Sequence, residues 1–524
     1  MRYVISGLRL PFGADGAAAE AAARRTLRLP AGTAACVCRR SFDLRHGALT
    51  AVFAVSFEMP DGWRAPDRPD LRARPEPVLP PVTGSATSVH PPVVVGFGPA
   101  GLFAALALAK RGYRPLVLER GPALAERDAA VARFFETGAL SPEANIQFGE
   151  GGAGAYSDGK LNTRVGDPRC ELVLEWLGAH GAPPEALLPA RPHIGTDLLK
   201  PIVRRMREEI VALGGTVRFS CRVTGLVVRG GRLAGLRTDA GEIPCETAIL
   251  ALGHSARDSF AALRDQGVAM EQKAFSVGLR VEHLQADIDE ALYGRFRGTA
   301  GLPPGEYVLA VDTGLRKCYS FCMCPGGRVV AAASEAEGVV TNGMSDHARD
   351  GRNANAAVCV PVGPADFGDG DALAGVAFQR ALERAAFRAG GGLYRAPAQT
   401  VGDFLLGKPS AAFGRVQPTY QRGVTPGELS ALLPPPVCGT LRAAFPLFAR
   451  KVRAFGEPEA VLTGIETRTS SPVRILRGDN LESVSVPGLI PCGEGAGYAG
   501  GIVSAAADGL RAAEAVFATY RPGL

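Results

Sequence analysis

Residues 93–120, VVVGFGPAGLFAALALAKRGYRPLVLER, join two apolar runs through a turn built on Gly96, Gly98 and Gly101. With 66 glycines in 524 positions, a G-x-G-x-x-G pattern arises about once by accident. Two further copies occur, at Gly149/Gly151/Gly154 and Gly495/Gly497/Gly500. Context separates them. Only the first follows an apolar strand, opens an alanine-rich helix through Pro99 and Ala100, and leads to a second strand ending in Glu119 and Arg120. Gly96 permits the tight turn, Gly98 lets the backbone approach a pyrophosphate, and Gly101 lets the helix pack on the strand. The helix start offers free N–H groups and a partial positive charge to phosphates. Glu119 is placed to accept from an adenosine ribose and to repel a 2′-phosphate.

A late segment narrows the choice of dinucleotide. GLIPCGEGAGYAGGIVSAAADG reads as a strand, then Gly493-Glu494, then glycines through Gly500 and Gly501, then a helix from Ile502. That order resembles the carboxyl-terminal return of two-dinucleotide-binding-domain flavoproteins. The resemblance implies that Glu494 holds the ribityl chain and that the helix start faces the flavin pyrimidine. Residues 217–253 read as a β-meander with Gly-Gly and Ala-Gly turns, closed by the apolar strand of AILALG. Val223 and Gly253 fall beside the same cofactor, and FAD is the one expected.

Five longer blocks carry a more specific resemblance: NIQFGEGGAGAYSDGKLNTR (145–164), YSFCMCPGGRVVAAASE (319–335), VVTNGMSDHARDGRNANAA (339–357), GIETRTSSPVRILR (464–477) and PCGEGAGYAGGIVSAAADG (491–509). The chain resembles the bacterial FAD-dependent dehydrogenases that carry an amino-terminal α+β domain. The resemblance implies FAD and a redox role, without naming a substrate.

Other residues could act beside the cofactor. In the 145–164 block the glycines, Gly151 and Gly152 among them, let a loop pass close to the flavin, with Asn162 further along. Lys160, one of only seven lysines, could face the flavin edge or lie in solvent. Strand alternation puts Cys322 and Cys324 on one face and Met323 on the other, a spacing poorly suited to a disulfide. The pair reads as packing or substrate wall before redox partner. Glu466 and Arg468 share a strand face and form either a carboxylate or proton-transfer site or a structural ion pair. Arg352 could cap a helix or bind a polar substrate; His254 reads as a capping or core residue. The chemistry expected is hydride transfer between a substrate carbon and flavin N5. Lys160, Glu466 and Tyr498 are the candidates to move the accompanying proton. No second strand–turn–helix unit for a nicotinamide is evident, so NAD(P)H enters only as a possible reductant. A flavin monooxygenase or oxidase is the nearest rival, and a non-enzymatic or RNA-associated flavoprotein a more distant one.

The elements that must position these residues fall into an α/β chain of several domains. The expected architecture is a Rossmann-like FAD-binding domain of the glutathione-reductase type (93–258 and 455–524). It holds an inserted α+β substrate domain (259–454) and follows a small ferredoxin-like α+β domain (1–60) and a Pro-rich linker (61–92). Hydrophobic content of 46% and charged content of 21% are those of a globular protein. The net charge of +6 comes without any run of five basic residues, so no nucleic acid is expected. Eleven scattered cysteines do not form a disulfide framework, and Cys318, Cys322 and Cys324 lack a fourth ligand at metal-site spacing. The start, MRYVISGLRLPFG, has no apolar signal core, and the longest apolar span, 93–109, is broken by Gly96, Gly98 and Pro99. A cytoplasmic protein without a membrane span is expected.

Overall fold

The computed structural model describes residues 1–30, 32–163 and 165–523; Arg164, which ends the first of the five blocks, lies outside them. The amino-terminal module comprises β1 (Arg2–Pro11), α1 (Gly16–Leu27), β2 (Ala35–Asp43), β3 (Thr50–Glu58) and β4 (Leu71–Ala73). Asp15 caps α1 by accepting from the Ala18 N–H at 2.9 Å. The sheet runs β2-β3-β1-β4, antiparallel throughout. Two features depart from expectation. The supposed linker supplies β4, because Leu71 pairs with Ile5 and is buried in the module's core. One helix covers the sheet, where a ferredoxin-like module has two.

The next unit is β5 (Val93–Val95), α2 (Pro99–Lys110) and β6 (Leu116–Leu118). Runs of Val and Leu buried on both faces suit the middle of a parallel sheet. With β7 (Thr216–Arg218), β8 (Ala248–Leu250) and β9 (Leu489–Pro491), they form a five-stranded parallel sheet in the order β9-β8-β5-β6-β7. An antiparallel meander of residues 223–244 precedes β8. Helix α2 is buried from Ala100 to Ala109 because α3 (Ile502–Thr519) and the helix Thr196–Ala212 pack against it. Each large side chain it buries, such as Leu106, contributes about 1.5–3 kcal/mol. Small residues allow that approach: a methyl on Gly509 would strike the Ala100 carbonyl.

A second layer is a seven-stranded mixed sheet. The strand Phe275–Leu284 lies at its centre, between Asn353–Val362 and Val461–Glu466; Lys317–Cys324 flanks Asn353–Val362. The sheet therefore starts later than residue 259 and takes a strand from beyond residue 454, since Val461–Glu466 completes its interior. Met270–Gln272 and Val473–Ile475 pair antiparallel, so the two crossings between the layers run side by side. Among the described residues, no helix is long and apolar enough to cross a membrane.

Candidate functional site

A long cleft, with about 1490 Å³ of empty space and one side open to solvent, lies between the two sheets. Its first wall is the carboxyl end of the parallel sheet. Gly96 turns the chain at φ +95°, and a methyl there would strike the Ala251 carbonyl. Gly98 then caps α2 and Pro99 takes its first position. The opening N–H groups of a helix have no partner inside it, and Gly98, Pro99 and Ala100 line the cleft. Gly101 lies behind them, where its missing side chain lets α2 sit on the Gly96 carbonyl.

Glu119 follows β6 and is buried, accepting from the N–H groups of Phe97 (2.8 Å), Gly121 (2.9 Å) and Gly149 (3.0 Å). A carboxylate has about four acceptor sites, so one stays open to the cleft. The other three tie the turn, the strand end and the glycine loop together. Arg120 also lines the cleft, but Glu143 at 2.7 Å and Asp258 at 2.9 Å hold it over the Phe148 ring. Val223 and Gly253 also line the cleft.

The glycine loop lies across the wall. Gly152, at φ +59°, brings its backbone against Gly98 and lines the cleft, while Gly151 lies behind and donates to the Phe97 carbonyl at 2.9 Å. Arg127, wholly buried, donates to the carbonyls of Asn145 (2.9 Å), Glu150 (2.6 Å) and Gly152 (3.0 Å). Nothing in the sequence marks this one arginine among so many, because its partners are backbone carbonyls gathered by the fold.

Glu494, Gly501 and Ile502 also line the cleft, with Ile502 close to Pro99 across Gly154. Burial pushes the Glu494 carboxyl up to about 7; the Gly501 N–H at 3.5 Å and the Lys273 charge pull weakly against it. Gly493 stays behind, wedged against Ala100 and donating to Asp508 at 2.8 Å. Gly500 is exposed and outside the lining.

The roof brings Lys160, Cys322, Glu466 and Arg468 to the cleft. Lys160 pairs with the buried Asp158 at 2.6 Å and donates to the Met323 carbonyl. Burial opposes the Lys160 charge, but Asp158 outweighs it and holds the ammonium above its ordinary range. Burial likewise opposes the Asp158 charge, yet Lys160 and Arg349 pull that carboxyl down to about 2. Glu466 accepts from Arg280 at 3.0 and 3.2 Å and from the Thr341 hydroxyl at 3.0 Å. Arg468 instead forks onto Glu383 at 2.9 and 3.1 Å and gives its remaining arm to Ser255 and Ser334. Glu466 and Arg468 thus do not pair with each other: the strand ends at Glu466, and Arg468 turns to the neighbouring helix Ala374–Ala389. His254 lines the cleft neutral, held by burial and by Arg468 and Arg257 down at about 3.

Other sequence candidates lie elsewhere. The Tyr498 hydroxyl accepts from the Arg477 N–H at 3.3 Å beneath the Arg477 guanidinium, away from the cleft. Arg352 is exposed and bonds the Arg415 carbonyl, Asn162 is exposed, and Cys324 is buried behind Cys322. Among the described residues, no group of three or more His, Cys, Asp or Glu could hold a metal ion.

Comparison with known proteins bears on the whole chain. Residues 274–469, nearly the span of the seven-stranded sheet, match the family described as FAD-dependent protein, C-terminal domain-like. A protein of Clostridium beijerinckii named only as uncharacterized is 48% identical over 431 residues, covering 82% of this chain and 81% of its own. Among solved structures, a glycine oxidase from Bacillus cereus is 11% identical over 81% of this chain and 94% of its own, with a TM-score of 0.31. A myxobacterial chondrochloren halogenase is 12% identical over 81% of this chain and 72% of its own, with a TM-score of 0.36. Scores that low leave the reaction to be argued from the site itself.

Proposed function

This chain belongs to the FAD-dependent protein family, and on that premise we propose that it is an oxidoreductase moving a hydride between a small organic substrate and the flavin. The observation that carries the reading is a single cleft lined by two neighbouring helix starts, α2 with Glu119 close by and α3 with Glu494 close by. Bare backbone at Gly96, Gly98 and Gly152 suits a pyrophosphate, and the open acceptor site of Glu119 suits a ribose hydroxyl. Glu494, poorly paired in the cleft, suits a ribityl hydroxyl, and the start of α3 suits the pyrimidine edge. The parallel sheet with its meander supports a glutathione-reductase-type FAD domain around an inserted substrate domain. Bound FAD supplies N5, which exchanges a hydride with a substrate carbon.

The remaining chemistry falls to a few side chains. Lys160 keeps its proton because Asp158 and the Met323 carbonyl hold it, so it serves as a cation or proton donor at the flavin edge rather than as a free base. Glu466 spends its lone pairs on Arg280 and Thr341, which makes it a positioning residue. Arg468 has both arms engaged and shapes the substrate wall. Anaerobic titration of the yellow, FAD-loaded protein with NADH and NADPH tests the reading. Bleaching by either makes it a reductase, and rapid reoxidation by air with a hydroxylated product makes it a monooxygenase. A flavin indifferent to both nucleotides but bleached by an organic substrate makes it a dehydrogenase. Failure of the purified protein to take up FAD overturns the reading.

A further inference from the structure

Cys322 holds φ at +47°, a left-handed conformation that residues other than glycine seldom adopt. Among the described residues it is the one cleft-lining side chain other than glycine in that region. The cause is visible. The pairing register with the strand Asn353–Val362 shifts between Phe321 and Cys324, and Arg280 grips the Cys322 carbonyl at 2.9 Å. Arg280 is wholly buried, and its other N–H groups go to Glu466, Asn355 and Asn342. Releasing that carbonyl would leave a buried guanidinium N–H without an acceptor. Backbone strain persists only where the surroundings enforce it, and it gathers at functional sites.

The bulge changes what the two thiols can do. Regular alternation would hold them apart along one face. Here the Cys324 sulfur turns back to 3.3 Å from the Cys322 carbonyl, buried, while Cys322 opens on the cleft. The Cys324 thiol, with the Lys160 and Arg280 charges, holds the Cys322 thiol well below the ordinary range, against burial and Asp158. Cys324 stays far above it, raised by Cys322 and by burial. Burial also raises Cys245, Cys318, Cys359 and Cys492, so Cys322 stands apart from them. Cys322 is also close enough to Glu494 for its charge to be felt there. An acidic, accessible thiol backed by a protonated neighbour is the arrangement of an attacking and a resolving cysteine.

We propose that Cys322 and Cys324 are a redox couple of this cleft, a dithiol that closes to a disulfide as it passes two electrons to the flavin; this rests on the FAD reading above. The S–H bond of Cys324 breaks and an S–S bond forms between the two sulfurs. The electron pair goes to the oxidised isoalloxazine, together with the Cys324 proton and one proton from solvent. The Cys322 thiolate starts the step already deprotonated, so charge balances. The reverse step reopens the disulfide. A small thiol or disulfide reaching Cys322 from the open side of the cleft is the class of substrate such a couple serves.

Trypsin cutting after Lys317 and Arg328 places Cys318, Cys322 and Cys324 on one peptide. FAD-loaded protein is reduced with dithionite or oxidised with ferricyanide, quenched in acid and alkylated with N-ethylmaleimide. The reduced sample should carry a maleimide on every cysteine of that peptide. The oxidised sample should carry one, at Cys318, and lack two hydrogens. Full alkylation in both states overturns the proposal. In anaerobic dithionite titration, the wild type should take up twice as many electrons per flavin as Cys322→Ser or Cys324→Ser; equal uptake also overturns it. Flavin content is read separately from the visible spectrum after gel filtration. Loss of the FAD reading is thereby distinguished from failure of the couple, since the alkylation assay needs no flavin.

Discussion

Glu494→Gln isolates the group whose titration the cleft controls most directly. In the ligand-free protein, burial raises the Glu494 carboxyl from 4.5 to about 7. The folded state therefore binds the proton more tightly than the unfolded chain does. The sign follows from linkage: stability from this group is full below pH 4.5 and is lost as pH rises toward 7, after which it stays flat. At about 1.4 kcal/mol per pKa unit, a rise of this size amounts to about 3 kcal/mol, an upper bound because Glu494 keeps some exposure to the cleft. Urea unfolding of the ligand-free wild type and Glu494→Gln across this range checks it. The wild type should lose stability relative to the variant as pH rises. FAD adds a second arm, since the proposed ribityl hydroxyl donating to Glu494 would favour the carboxylate. Wild-type FAD affinity should then tighten as pH rises toward 7 and level off above it, while the variant's stays level throughout. Parallel stability curves for the two proteins would refute the burial argument; parallel affinity curves would refute the ribityl contact.

Gly101→Ala places a methyl on the Gly96 carbonyl and should cost about 1–3 kcal/mol in thermal unfolding, with FAD affinity falling in step. Arg280→Met leaves Glu466 buried without its partner and should destabilise by about 3–5 kcal/mol. The double variant Arg280→Met/Glu466→Leu should recover part of that loss in the same denaturation assay, as removal of a whole buried pair commonly does. Lys160→Met removes the cation proposed for the flavin edge and should slow flavin reduction by about a hundredfold or more, followed by stopped-flow absorbance. A reduction rate unchanged in that variant would remove Lys160 from the chemistry.

The dinucleotide turn, the acid after β6, the meander and the late Gly-Glu return were legible in the chain. Each depends on residues close in the chain. A glycine is needed where the backbone turns at φ +95°, and an apolar run is needed where a strand is buried on both faces. Local geometry leaves its mark on local composition. The partners of the charged groups left none. Arg127 serves carbonyls in a loop, Arg280 reaches from one strand to a carboxylate and a carbonyl on two others, and Arg468 turns from Glu466 to Glu383. The β4 strand was hidden in a Pro-rich stretch because Leu71 becomes a strand residue only when Ile5 is beside it. The alternation around Met323 pointed to two thiols side by side on a regular strand. Tertiary structure replaced that with a bulge, because a buried guanidinium must satisfy its donors and the Cys322 carbonyl is one of the acceptors within reach. A long side chain can choose among many partners, and the winner is decided by which distant segments the fold brings together.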